Sequence, residues 1–212
     1  MYRYLTDKKL RSELRSQAES IIYSAQKLLA KTATFSFKLI GSGETRLMMV
    51  NGKNNSVDLD YNLYIQRDKE NLVYQPGELK RRFMSAIQNV CGRGIKVSDS
   101  SSVITCHYGK VCGYVFSIDF AVYVSDDKGF QYKLIADKSA QPVRYEWNQV
   151  PKSKGFESKF RKLKQEGFFE DIKGRYLEKK NANLKQGSPK ASFSLLIETV
   201  NELVQEHHIS QW

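Results

Sequence analysis

The stretch Val57-Asp58-Leu59-Asp60-Tyr61-Asn62-Leu63-Tyr64-Ile65 alternates as a half-buried strand does. Val57, Leu59, Tyr61, Leu63 and Ile65 fall on one face, and Asp58, Asp60 and Asn62 on the other. Aspartate is a poor strand former, and two carboxylates on one face repel. The pattern admits two readings: an acidic face left in water, or a pair of carboxylates held there for a cation. The choice depends on whether the rest of the chain supplies partners for those acids.

Upstream, Leu10, Leu14, Ala18, Ile21, Ala25 and Leu28 recur at three- and four-residue steps, which predicts an amphipathic helix over 7–31. Thr34-Phe35-Ser36-Phe37-Lys38-Leu39-Ile40 then reads as a strand that ends in Gly41-Ser42-Gly43. Such a turn lets a ligand approach the main chain and adds a hydroxyl suited to a phosphate oxygen, although a plain turn has the same composition. Glu44 to Val50 is expected to be a short helix, and Gln66 to Gln75 a loop. Pro76 then opens a helix through about Val90, with Lys80, Arg81 and Arg82 on its solvated side.

Further on, Val103–Tyr108 and Val111–Val124 read as strands around a Gly109-Lys110 turn, and Phe130–Ile135 as another. In the second, Phe116, Ile118, Phe120, Val122 and Val124 share a face, which leaves Asp119 on the other. A carboxylate within so apolar a run is costly unless it meets solvent or a cation. Were the strands neighbours, Asp58, Asp60 and Asp119 would meet. Oxygen ligands of that kind suit one or two Mg²⁺ (or Mn²⁺) ions and phosphoryl transfer. The serine turn would hold the phosphates.

The chain has 212 residues, a net charge of +11 and a pI near 9.5, which point to a polyanionic partner. From Lys152 to Lys190, twelve Lys/Arg face five acids, and interleaved aromatics pattern the segment as helices rather than a tail. Ser188-Pro189 signals the start of a last helix running to about His207. The expected division is a core over 1–140 and a basic helical segment over 141–212. Cys91, Cys106 and Cys112 have no metal-type spacing and are expected to be reduced thiols in a cytoplasmic protein. Neither a signal peptide nor a membrane span is expected. His107, His207 and His208 read as structural or surface residues. Tyr108 and Tyr132 read as packing residues, and no spacing argument favours Arg46 or Lys133.

Gly41-Ser42, Asp58-Leu59-Asp60 and Ile118-Asp119-Phe120, in that order and strand context, resemble the nucleotidyltransferase fold of the DNA polymerase beta superfamily. The resemblance covers roughly residues 30 to 135. It implies an α+β fold in which a mixed sheet is flanked by helices, with a C-terminal helical extension. It also implies an enzyme that transfers a nucleotidyl group from an NTP to a hydroxyl. Asp58, Asp60 and Asp119 would be its catalytic metal ligands, and Gly41 and Ser42 would bind the nucleotide. The C-terminal half looks like the branch of oligoadenylate synthetases and bacterial cyclic-oligonucleotide synthases. By that likeness Tyr176-Leu177-Glu178-Lys179-Lys180-Asn181 and Ser192-Phe193-Ser194 supply triphosphate contacts from Lys179 and Ser192, with Lys180 and Ser194 fitting nearly as well. The chain departs from the pattern after Gly43, where Glu44-Thr45-Arg46 lacks a further Gly-Thr or Gly-Ser, and it is short for a cyclic-dinucleotide synthase. The acceptor is left open between a second nucleotide, an RNA end and a protein. The alternative is an inactive scaffold that binds RNA through the basic segment and its aromatics.

Overall fold

The structure is a computed structural model that describes residues 1–151, 155–187 and 190–209. It divides into a sheet unit, Tyr4–Val150, and a helical unit, Pro151–Trp212 with Met1–Arg3. A first short strand, β1 (Tyr2–Tyr4), spans the point where the two meet in sequence.

The sheet unit starts with α1 (Lys8–Leu29), whose N-terminus is capped by the Asp7 side chain accepting from the Leu10 amide at 3.0 Å. Its buried stripe is Leu10, Leu14, Ala18, Ile21, Ile22, Ala25 and Leu29. At the last turn the stripe passes to Leu29 and leaves Leu28 exposed, because a 3.6-residue period drifts off a strict three- and four-residue series. Next come β2 (Ala33–Ile40), α2 (Gly41–Thr45), β3 (Met49–Asn51) and β4 (Ser56–Asp68). The short helix thus begins at Gly41 rather than Glu44. Arg46, at φ 62°, stops it in the left-handed region, and residues 49–51 are extended. The strand expected to end at Ile65 runs three residues further, and Leu72–Tyr74 forms one 3₁₀ turn before α3 (Pro76–Cys91).

Strands β5 (Lys96–Asp99), β6 (Ile104–Val111) and β7 (Tyr114–Ser125) follow. The hairpin turn is Cys112-Gly113, not Gly109-Lys110: both turn residues have positive φ (49° and 83°), as a two-residue hairpin loop requires. Gly109 lies inside β6 at a register shift. Next are β8 (Gln131–Asp137) and β9 (Arg144–Gln149), the latter without a strand reading in the sequence. Because β9 pairs with β8 from Tyr132↔Gln149 to Asp137↔Arg144, the sheet unit extends to residue 150 instead of 140.

The long strand β4 is the axis of the sheet. One edge pairs in parallel with β7, from Ser56↔Val115 to Tyr64↔Tyr123. The other pairs antiparallel with β2 and β3. On its far side β7 pairs with β6 and, beyond the end of β6, with β8. The apolar face of these strands and the stripes of α1 and α3 form one core, in which Leu59, Tyr61, Phe83, Phe116, Ile118 and Phe120 are essentially inaccessible. The opposite face carries the acids.

The basic trio of α3 is only partly solvated. Arg81 and Arg82 are exposed, but Lys80 is 2% exposed, ion-paired with Asp99 and donating to the Ser100 carbonyl at 2.8 Å. Tyr145 donates to the other Asp99 oxygen at 2.6 Å. Two steps from Pro76 to Leu79 and Phe83 place position 80 beside the buried stripe, so its charge needed a partner on β5.

The helical unit contains α4 (Phe156–Gln165), α5 (Phe169–Lys185) and α6 (Ser192–Glu206). The expected helix start at Ser188-Pro189 lies outside the described residues; α6 begins at Ser192 after Ala191. No described helix is long and apolar enough to cross a membrane.

Removing the Lys80 charge leaves the half-buried Asp99 without its cation. Lys80→Ala is expected to cost about 3 kcal/mol in urea unfolding, and Arg81→Ala, on the exposed side, under about 1 kcal/mol.

Candidate active site

The parallel pairing of β4 with β7 brings the acids of the two strands together: Asp60 stands directly opposite Asp119, and Asp58 opposite Ser117. All four side chains emerge on the face away from the core, since their neighbours Leu59, Tyr61, Ile118 and Phe120 are buried. Asp58 is exposed, and Asp60 and Asp119 are half-buried.

Each flanking acid is held by a hydroxyl. The Thr105 hydroxyl on β6, opposite Asp119 in register, donates to Asp119 Oδ1 at 2.6 Å. Thr105 has one hydroxyl proton and spends it there, so its 3.2 Å contact with Ser100 Oγ is a donation from Ser100. The Ser117 hydroxyl donates to Asp58 Oδ1. Sequence reasoning passed over Thr105 and Ser117, yet Ser117 lies two residues from Asp119 in an alternating strand. That spacing is enough to place it on the acidic face.

Burial pushes the Asp119 carboxyl above the usual carboxylate range; the Thr105 hydrogen bond works against this, and the Asp58 charge adds to it. Lys133 on β8 is the nearby cation. Burial lowers its ammonium, while the charges of Asp60 and Asp119 pull the other way. It pairs in register with Tyr123, on the face opposite buried Leu134. The alternation around Leu134 thus placed Lys133 on the acidic face, and that signal was present in the sequence.

Gly41 is fitted to this site. Its φ is +63°, and a Cβ there would lie 3.2 Å from Asp60 Oδ2, so both backbone and space favour glycine. Ile40 pairs with Asp60 across β2 and β4, which brings Gly41-Ser42 beside the carboxylates. The Leu47 amide donates to the Ser42 carbonyl at 2.8 Å, and the Thr45 hydroxyl to the Gly41 carbonyl at 2.8 Å, fixing the short helix that follows. Asn62, one step past Asp60 on the same face, is 8% exposed and donates to the Tyr64 hydroxyl at 3.0 Å.

Among the described residues no three His, Cys, Asp or Glu side chains are grouped so as to hold a metal ion by themselves. Mg²⁺ does not require such a group: it is usually held by one or two carboxylates together with water and substrate phosphates. The donors here are all carboxylate oxygens. Asp58 and Asp119 are oriented by neighbouring hydroxyls, and Lys133 offsets part of the charge of Asp60 and Asp119. That donor set fits a hard divalent cation.

Within the helical unit, Lys180 donates to Ser192 Oγ at 2.7 Å and sits over the Tyr2 ring at 4.1 Å. Lys179 is instead bonded to Glu202 at 2.6 Å. The lysine that reaches Ser192 is therefore Lys180, and Ser194 projects from a different side of α6. Part of the basic charge is paired internally: Arg175 with Glu206, Lys173 with Glu170, and Lys190 with Glu198. The aromatics pack on one another, Phe156 against Phe160 (5.8 Å) and Phe193 (5.1 Å), Phe160 against Phe169 (6.5 Å).

The mixed sheet, the glycine–serine turn and the carboxylates on paired strands constitute a nucleotidyltransferase fold. Solved structures of the Vibrio cholerae cyclic AMP-GMP synthase DncV show the same fold. The 3'-deoxy GTP-bound form of Vibrio cholerae DncV matches with a TM-score of 0.68 at 11% identity, covering 93% of this chain and 66% of that one. DncV cyclic AMP-GMP synthase in complex with the linear intermediate 5' pppA(3',5')pG matches with a TM-score of 0.65 at 12% identity, over 93% and 68%. A GTP complex of the Bradyrhizobium diazoefficiens CD-NTase CdnG gives 0.47 at 16% identity, over 66% and 39%. The matches thus span between 39% and 68% of the length of the chains in these three structures. No family model and no curated protein matches the sequence.

A raised Asp119 pKa means that the folded state binds that proton more tightly than the unfolded chain does. Ionised Asp119 therefore costs stability at neutral pH, and the cost disappears as the pH falls through its raised pKa. Asp119→Asn, which keeps an acceptor for Thr105, is expected to raise the melting temperature of metal-free protein at pH 7. The gain should shrink as the pH is lowered towards 4, and thermal unfolding in EDTA across that range measures it.

Proposed function

We propose that the protein is a Mg²⁺- or Mn²⁺-dependent nucleotidyltransferase that moves a nucleotidyl group from an NTP to a hydroxyl acceptor. The observation that carries this reading is the cross-strand pair Asp60–Asp119, with Asp58 two residues along and Gly41-Ser42 beside it. A strand pair gains nothing from opposed carboxylates unless charge of the other sign is brought to them. A pure binder of polyanions would be weakened by them.

Asp58, Asp60 and Asp119 would hold the divalent cations, which when bound supply charge stabilisation for the developing pyrophosphate and acidify an attacking hydroxyl. Of the three, Asp119 is assigned to take the acceptor's proton: burial raises its pKa above the usual carboxylate range, and Thr105 fixes one of its oxygens. Gly41 leaves room for phosphate to approach the main chain, and Ser42 contributes a hydroxyl. On the helical unit, Ser192 with Lys179 or Lys180 is assigned to the triphosphate, the contact from Lys180 to Ser192 favouring the second lysine. Lys133 partly neutralises the acids and supports the fold of the unliganded site. The NTP and the acceptor (a second nucleotide, an RNA end or a protein side chain) are the open variables.

The alternative, a nucleic-acid binder on an inactive scaffold, rested on free lysines and free aromatics in the basic segment. Both are weakened by the pairing of the charges with acids and of the rings with each other.

Incubation with each labelled NTP and Mg²⁺ or Mn²⁺, with and without cellular RNA, is expected to give a nucleotidylated product and pyrophosphate. Asp119→Asn should lower turnover at least about 100-fold with an unchanged circular dichroism spectrum. Full turnover in that variant, or no product in any combination with the wild type, would overturn the reading.

A further inference from the structure

Cys91 ends α3 and Cys106 lies in the middle of β6, fifteen residues apart in sequence. Their Sγ atoms are 3.1 Å apart, closer than two unbonded sulfurs ordinarily approach without a shared proton. Both are free thiols. Cys106 is wholly buried, paired in register with Ile118 of β7, whereas Cys91 is half-exposed. Donation from Cys106 pulls the Cys91 thiol below its ordinary value despite burial, and the Cys91 contact together with burial pushes Cys106 up. The reachable sulfur is thus also the more readily ionised one, and the hidden sulfur lies within about one ångström of bonding distance to it.

We propose that Cys91 and Cys106 form an oxidisable dithiol, a modification site for small disulfides such as oxidised glutathione. The Cys91 thiolate attacks one sulfur of the disulfide and releases the first thiolate. Cys106 then gives up its proton, attacks Cys91 Sγ and expels the second, so that two protein thiols are oxidised and one disulfide is reduced to two thiols. The product covalently joins the end of α3 to β6, the strand whose Thr105 precedes Cys106 and holds Asp119. The ring closed by the new bond contains β5, already tied to α3 by the Lys80–Asp99 ion pair. The proposal does not depend on the nucleotidyltransferase reading.

Treat the native full chain with oxidised glutathione, block remaining thiols, digest without reductant and analyse the peptides by mass spectrometry. Cys112, exposed on the hairpin turn, serves as the internal reference for oxidant access. Expected are a cross-linked peptide pair carrying Cys91 and Cys106 at a loss of about 2 Da, a glutathione adduct on Cys112, and reversal by dithiothreitol. The melting midpoint should rise by roughly 5–10 °C on cross-linking. In Cys91→Ser, Cys106 should stay unmodified. Cys91 and Cys106 remaining free after Cys112 has reacted fully, or a lasting glutathione adduct on Cys91, would overturn the proposal.

Discussion

Two carboxylates placed opposite each other on adjacent strands raise the energy of a sheet, and the arrangement around Asp60 and Asp119 answers that constraint. Their register is fixed from the other side of the sheet. Leu59, Tyr61, Ile118 and Phe120 are buried beneath α1 and α3, and a slip of one residue would turn all of them into water. The core therefore holds the acids together, although they would not choose to be there. Thr105 orients Asp119 and Ser117 the neighbouring Asp58, Lys133 offsets part of the charge of Asp60 and Asp119, and Gly41 makes room for Asp60. The proposed function assigns this face to a divalent cation and a triphosphate.

Most of the sheet was legible from alternation, because one face of β4 and β7 is strictly apolar. So was the order of the three acids. The parallel pairing that brings them together was not, since nothing local in β4 states which strand lies beside it. The turn at Cys112-Gly113 was missed because its first residue adopts positive φ without being glycine, while Gly109-Lys110 offered the commoner signal. Strand β9 does alternate, with Tyr145 and Trp147 against the core and Arg144, Glu146 and Asn148 on the other face, but with only two apolar residues the signal was passed over. Lys80 was misjudged because a lysine beside a buried stripe is usually solvated, and its partner, Asp99, is nineteen residues away on another element.

The helical unit shows how composition misleads when geometry is absent. A net positive segment with interleaved phenylalanines has the composition of a nucleic-acid surface. In the fold Phe156 and Phe160 are buried and pack with their aromatic neighbours, and Arg175, Lys179 and Lys190 face glutamates on α6. What stays distinctive there is the contact between Lys180 and Ser192, which departs from the lysine that the family resemblance named first.

The central claim is that the acidic face is a cation site completed by a triphosphate. Mn²⁺ binding, followed by electron paramagnetic resonance with and without a non-hydrolysable NTP, tests it most directly. The account predicts weak binding to the protein alone, at least about tenfold tighter binding with the triphosphate, and loss of that enhancement in Asp60→Asn. Equal Mn²⁺ binding in the wild type and in an Asp58→Asn/Asp60→Asn double variant, with the triphosphate present, would contradict it.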